Sequence, residues 1–410
     1  MSDVMPLSIV NFKKGMYLLV EGKHDEKRFF IIREGYVKIT KQVSLIKDEA
    51  ESVIGPGDFI GIVPAMAQRS QIESAQAVTD VAVLAVDNTQ FEGLIQNNTP
   101  IAMKIIQQFS RRIRYLNNAL TGIASNSASA GTGTDVLFKT GQYYMKLKMN
   151  LQAYYMFKRY VECYPDGEFV GQASGFLETL KAFNEAPFEA GSDDFLRTYN
   201  KNKIIFADGE LGESLYIIQK GTVKITKILN GNEIILAILK HGDIFGEMAL
   251  LENKPRSASA IAQEDGTVLM EVVKRNFELM AKTKPAIINR LTRMLSERIW
   301  FSYKQLANAL IKDPLGRMYD YMTIILEKNN VTPSANPFVF DFGPDELLKM
   351  AAVPADQQKI VIAQLLNDKV IKLDKGKIFV NYIDEIFKLG SYYKKMNKRE
   401  AAQGRIKEPR

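Results

Sequence analysis

Residues 30–41 read FIIREGYVKITK, and residues 216–227 read YIIQKGTVKITK. Both segments run through an isoleucine pair and a glycine into Val-Lys-Ile-Thr-Lys. In the second, Val223 and Ile225 alternate with Lys224 and Thr226, the period of a half-buried strand. Gly35 and Gly221 then mark the turn into that strand. Further out, GPGDFIG at 55–61 matches KHGDIFG at 240–246, and FSRRI at 109–113 matches LSERI at 295–299. Matching blocks in the same order mean that one domain occurs twice. Short strands with frequent glycine turns predict a roll or barrel, and each copy ends in a helix. In the second copy Ile288, Leu291, Leu295, Ile299, Ser302, Leu306 and Leu310 form one seam at helical spacing.

Different sequence separates the copies. ASNSASAGTGT at 124–134 has the composition of a flexible linker. Residues 135–187 then lack strand alternation and predict helices. There Leu137, Gly141, Tyr144, Ala153, Phe157 and Pro165 resemble a single tetratricopeptide repeat, with a generic helical hairpin as the alternative. One such unit cannot bury its own face, so it is expected to dock on a neighbour.

The bulk properties exclude more than they assign. The 410 residues predict several domains, and 46% hydrophobic with 25% charged residues is ordinary for a globular chain. No apolar run suits a membrane span, and the first residues do not resemble a signal peptide. With one cysteine, Cys163, no internal disulfide is possible, so a cytoplasmic location is expected. His24 and His241 are the only histidines, which argues against zinc. No nucleotide-triphosphate loop, nucleophile elbow or paired-histidine helix is present, so no enzyme is expected. The net charge of +7 permits a polyanionic partner. Part of it lies in a basic tail, 391–410, read as a solvated end.

The informative stretch is FGEMALLENKPRSASA at 245–260. Gly246 permits close backbone approach, Glu247 offers a carboxylate to a hydroxyl, and Arg256 offers a guanidinium fork to an anion. Ser257 adds a hydroxyl. Gly-Glu-x-Ala-Leu followed by Arg-Ser-Ala resembles the phosphate-binding cassette of cyclic-nucleotide-binding domains. The resemblance implies that Glu247 binds the ribose 2′-hydroxyl and Arg256 the cyclic phosphate, assisted by Gly246, Ser257 and the Ala249–Leu250 backbone. In the first copy the same stretch is IGIVPAMAQRSQIESA at 60–75. Ile62 stands for Glu247 and Gln71 for Arg256, with Arg69 the nearest cation. That copy is expected not to bind a cyclic nucleotide.

After DPLGRMYDYM at 313–322, helices are predicted over Pro344–Ala352 and Ala355–Asp368, followed by a hairpin turning at Asp374-Lys-Gly-Lys377. This is the order of a winged helix. Sensor roll, long helix and winged helix over 199–385 resemble the catabolite activator (Crp/Fnr) family of bacterial transcription regulators. The expected fold is α+β and multidomain. It comprises a degenerate first roll (1–123), the linker (124–134), the helical insert (135–187), a ligand-binding jelly-roll with its long helix (195–311), and a winged helix (312–390). The resemblance implies a ligand-gated regulator, cAMP as effector with cGMP the alternative, and base contacts from Ser302 and Tyr303. It also implies double-stranded DNA as partner, and either a homodimer or a pseudo-dimer within one chain.

The DNA-reading helix departs from the family. Ala355, Asp356 and Ile360 replace its usual Arg, Glu and Arg, removing the strongest base readers. Asp356, Gln357, Gln358 and Lys359 are left to face DNA, with Lys349, Lys375 and Lys377 as phosphate contacts. The alternative is a signalling scaffold in which the winged helix and the insert bind proteins.

Overall fold

The computed structural model describes residues 8–23, 27–41, 51–97, 99–125, 134–185, 188–190, 195–229, 231–247, 254–274, 276, 279, 285–333 and 337–406. They divide into two compact units, one of 1–116, 132–225 and 238–300, the other of 117–131, 226–237 and 301–410.

Most of the duplication lies in the first unit, while 226–237 and 301–309 of the second copy group with the second. In copy one the strands are β1 (Ser8–Phe12), β2 (Tyr17–Leu19), β3 (Arg28–Glu34), β4 (Val37–Thr40), β5 (Glu51–Ile54), β6 (Phe59–Ile60), β7 (Ser74–Ala77) and β8 (Val81–Asp87). They form two antiparallel sheets ordered β1-β8-β3-β6 and β2-β7-β4-β5. Leu19, Ile32, Val37, Ile39, Ile60, Ala75 and Val83 from both sheets share one core. Two short helices, α1 (Ile62–Ala67) and α2 (Phe91–Asn97), precede the seam helix of this copy, α3 (Thr99–Ser125).

Copy two repeats the plan. Its strands are β9 (Glu189–Ala190), β10 (Leu196–Tyr199), β11 (Ile204–Phe206), β12 (Ser214–Lys220), β13 (Val223–Leu229), β14 (Asn232–Leu239), β15 (Ile244–Phe245), β16 (Ser259–Ala262) and β17 (Thr267–Val273). The sheets run β15-β12-β17-β10-β9 and β11-β16-β13-β14, the same order with β9 added. Even the irregularity repeats. The β3–β8 register slips between Ile32 and Glu34, and the β12–β17 register between Ile218 and Lys220. Both bulges lead into a glycine at positive φ, Gly35 at 87° and Gly221 at 84°. A Cβ would lie 2.2 Å from the Asp80 carbonyl in one and 2.6 Å from the Thr267 hydroxyl in the other, so no other residue fits without a shift. The alternation read at 223–226 holds only in part. Thr226 is buried as well, and its hydroxyl donates to the Ile234 carbonyl at 2.8 Å.

The insert folds as α4 (Val136–Lys146), α5 (Asn150–Cys163) and α6 (Val170–Thr179), one helix more than a hairpin. Gly141 faces Phe157 closely enough that a Cβ would meet its ring at 2.7 Å. Leu137, Phe138, Ala153, Phe157 and Ala173 share a core with Ile204, Ala207 and Ile261 of the second roll, so the insert is docked on it. Of the expected linker, 126–133 falls outside the described residues.

The seam helix of copy two, α7, spans Pro285–Ala309, with Ile288, Leu291, Leu295, Ile299 and Leu306 buried. Two reciprocal contacts join the copies inside the first unit. Arg114 of α3 donates to the Pro255 carbonyl of copy two at 3.1 Å. Trp300 Nε1 of α7 donates to the Ser70 carbonyl of copy one at 3.2 Å. Arg114 and Trp300 stand two residues after the matched arginines of FSRRI and LSERI, and Ser70 and Pro255 match in the cassette alignment. Each copy therefore holds the other with the same pair of positions, the mark of two-fold symmetry.

In the second unit α8 (Pro314–Lys328) starts on Asp313, whose carboxylate accepts from Gly316 N–H at 2.7 Å, with proline at the first turn. Then come β18 (Phe338–Val339), α9 (Pro344–Met350), α10 (Gln358–Leu366), β19 (Ile371–Asp374) and β20 (Lys377–Val380), with the sheet ordered β18-β20-β19. The hairpin turns at Lys375 and Gly376, both at positive φ, as the Asp-Lys-Gly-Lys sequence predicts. Both helices are shorter than expected. Ala352 at φ 50° stops α9. Residues 354–357 form a turn closed by Gln357 N–H on the Pro354 carbonyl, which delays α10. α11 (Ile383–Ile406) continues through the described part of the expected basic tail, whose residues 407–410 lie outside the described residues. Tyr393 stacks on Tyr319, Lys394 pairs with buried Asp320, and Asn397 bonds Lys312 and Leu310. Among the described residues no helix is long and apolar enough to cross a membrane.

Candidate ligand site in the second roll

The site begins where β15 ends. Gly246 takes φ 82°, and a Cβ there would lie 2.8 Å from Arg256 Nη1 and 3.2 Å from the Ser214 carbonyl. This glycine lets the chain pass against the guanidinium and turns Glu247 inward, where it is fully buried. Arg256, just before β16, is 5% exposed. Its Nη1 donates to the Gly246 carbonyl at 2.6 Å and its Nη2 to the Ser214 carbonyl at 2.7 Å. The guanidinium lies 4.2 Å above the Phe206 ring, a cation–π contact that compensates part of its desolvation. Burial still holds it below the ordinary arginine value, opposed by Tyr216, Glu210 and Glu247.

Glu247 is the anomaly. Neither carboxylate oxygen accepts a hydrogen bond among the described residues. Its charge is met by Arg298 of α7 at 3.6 Å. A buried carboxylate without hydrogen bonds is costly, by roughly 1–3 kcal/mol or more, and calls for a donor. A hydroxyl is such a donor. Arg256 likewise holds neutral carbonyls that an anionic oxygen would outcompete. The cavity between them, lined by Phe206, Phe245, Ser257 and Ala258, holds about 20 Å³.

Gly246, Glu247, Arg256 and Ser257 thus lie around one small cavity. Ala249 and Leu250 lie outside the described residues. Ser302 and Tyr303 are buried on the part of α7 that groups with the second unit and do not line this cavity. Sequence reading missed Arg298. The LSERI block contained the signal, because the matched FSRRI keeps an arginine, Arg112, at the same position.

Copy one answers that arginine differently. Ile62 is buried in place of Glu247, and Gln71 lies beside Gly61 in place of Arg256. Arg112 pairs at 2.9 Å with Glu73, a residue whose counterpart in copy two is Ala258. The acid has moved along the cassette, and the arginine is satisfied without a ligand. Arg69 does not fill the vacant role: it sits 5.5 Å over the Trp300 ring.

In the second unit Lys349, Asp356, Lys359, Lys375 and Lys377 are exposed. Gln357 stands at the start of α10, not on it. Gln358 is half-buried, with its amide donating to the Val353 carbonyl at 3.0 Å. Lys377 lies 3.5 Å from Asp341. The outer face of α10 carries Ile360, 63% exposed, and Leu366, 42% exposed.

The family model described as "Cyclic nucleotide-binding domain" matches residues 9–98 and 196–283. The "Cyclic AMP receptor protein" of Thermus thermophilus is 29% identical over 185 residues, 45% of this chain and 82% of that protein. The "cAMP-activated global transcriptional regulator CRP" of Salmonella typhimurium is 27% identical over 124 residues, 30% of this chain and 59% of that protein, under two thirds of its length. Among solved structures, a CRP-family transcriptional regulator from Thermus thermophilus matches with a TM-score of 0.38 at 19% identity, over 47% of this chain and 96% of that one.

Proposed function

We propose that this chain, which carries two cyclic nucleotide-binding domains and closely resembles Crp/Fnr regulators, is a cAMP-responsive transcription regulator whose second domain alone binds the ligand. The observation that carries this reading is the buried Glu247 carboxylate, without a hydrogen bond among the described residues, beside Arg256, against Ile62 and Gln71 in the first copy. Glu247 accepts the ribose 2′-hydroxyl, while Arg256 leaves the Gly246 and Ser214 carbonyls for the cyclic phosphate. Ser257 and the backbone at 249–250 assist. Taking Glu247 into a ligand bond loosens its hold on Arg298, so ligand biases the seam helix α7 by population shift.

In this reading sensor-like domains occupy 1–123 and 195–311, the insert 135–187 and a winged helix 312–390; the family matches at 9–98 and 196–283 fall within the first two. The reciprocal contacts of Arg114 and Trp300 support a pseudo-dimer within one chain over a homodimer. DNA is met through Lys349, Lys359, Lys375 and Lys377, with Asp356, Gln357 and Gln358 nearby, in the cytoplasm of a bacterial cell. No catalytic step is assigned.

A second reading, a protein-binding scaffold, is favoured by one feature. The exposed face of α10 presents Ile360 and Leu366 where base-reading side chains are expected. A mobility shift on random-sequence DNA, with and without cAMP, separates the two. The regulator gives a shift that weakens steeply with salt. Absence of a shift in both states favours the scaffold.

A further inference from the structure

The helical insert reaches the loop that holds Arg256. Gly209 N–H donates to the Arg256 carbonyl at 2.9 Å, and Arg256 N–H donates to the Glu210 carbonyl at 2.8 Å. These paired bonds fix the backbone from which the guanidinium projects. Gly212, further along the same loop, lies under the guanidinium, where a Cβ would come within 2.8 Å of Nη2. From its other side the loop is gripped by α5 and the residue after it. The Tyr155 hydroxyl donates to Glu210 Oε2 at 3.0 Å, and Arg159 Nη2 meets Glu210 Oε1 at 2.9 Å. The Tyr164 hydroxyl donates to the Gly209 carbonyl at 2.7 Å. Glu210 is 7% exposed, and its Oε2 also accepts Ala207 N–H at 2.9 Å. None of the three insert residues lines the cavity at Glu247.

We propose that Tyr155, Arg159 and Tyr164 are positioning residues for ligand binding. They clamp the 207–211 loop, the loop clamps the Arg256 backbone, and the guanidinium is thereby aimed at the anion. The insert is then part of the sensor, a place where anything that bends α5 changes ligand affinity. This rests on the reading that Arg256 takes the cyclic phosphate. A purely structural grip, fastening the insert to the roll, would leave affinity unchanged in any variant that still folds.

The test is titration calorimetry on the full chain with cAMP and 2′-deoxy-cAMP, each variant first checked by thermal unfolding. Arg159→Met is expected to weaken cAMP binding by about fivefold to twentyfold, and Arg159→Lys to recover most of it. The fold loss should be the same with 2′-deoxy-cAMP, because it falls on the phosphate arm. Added to Arg256→Lys, Arg159→Met should cost almost nothing further. Tyr155→Phe, a milder change, keeps the test sharp if Arg159→Met does not fold, with about twofold to fivefold expected. Unchanged affinity in folded variants, or losses that simply multiply with Arg256→Lys, overturns the inference alone. A wild-type chain that binds no cyclic nucleotide overturns the proposed function, and the inference with it.

Discussion

Arg256 is held at 2.6 and 2.7 Å by two neutral carbonyls, and a cyclic phosphate offers a stronger acceptor for the same N–H groups. Arg256→Ala should therefore weaken cAMP binding by about tenfold to a hundredfold or more in calorimetry. The buried acid of the other copy behaves differently. Burial pushes the Glu73 carboxyl up, but Arg112 and Lys41 outweigh it and hold the group below its ordinary 4.5. A depressed carboxyl stabilises the fold above its unfolded value and loses that contribution as pH falls through the folded one. Glu73→Gln should thus lower Tm at neutral pH, with the gap to wild type closing below about pH 4. A gap independent of pH would mean that the Arg112–Glu73 pair does not titrate with folding. Glu73 was not legible in the sequence, because it meets a partner that only the fold brings near, whereas Arg298 left a trace in the arginine shared by the two matched helix blocks. Ile62 and Gln71 were legible, since they are substitutions inside a matched block.

Among the elements, the strands were the most legible. Alternation, the glycine turns and the Asp-Lys-Gly-Lys hairpin act over a few residues, and local sequence specifies them. The two-residue β18 was missed because it is too short to show a period. The start of α10 was misjudged because Gln358 bonds back to Val353 and stabilises the preceding turn. In the tail the run of charges hid Tyr393 and Asn397, which hold its described part to Tyr319 of α8 and to the Leu310 carbonyl. The turn at Gly246 gives a test at this scale. Gly246→Ala places a Cβ against Arg256, whereas Gly231→Ala, also at positive φ, meets nothing within 4 Å. Both should lose about 1 kcal/mol or more of stability, since each must adopt a left-handed backbone. Only Gly246→Ala should also weaken ligand binding. Equal binding by both variants would remove the close approach from the account.

For the whole molecule, the duplicated sensor has one intact anchor pair and two reciprocal inter-copy contacts. In the proposed pseudo-dimer these contacts take the place of a second copy. Light scattering should therefore give the mass of one chain, with and without ligand. An obligate dimer would contradict the pseudo-dimer. With one ligand and one winged helix per particle, as proposed, bound DNA would be a single half-site, unlike the paired half-sites of a symmetric dimer. The measurement that bears most directly on the central claim is calorimetric stoichiometry with cAMP on wild type, Gln71→Ala and Arg256→Ala. One site per chain is expected, unchanged in Gln71→Ala and severely weakened in Arg256→Ala. Two sites per chain, or one that survives Arg256→Ala and disappears with Gln71→Ala, would contradict it.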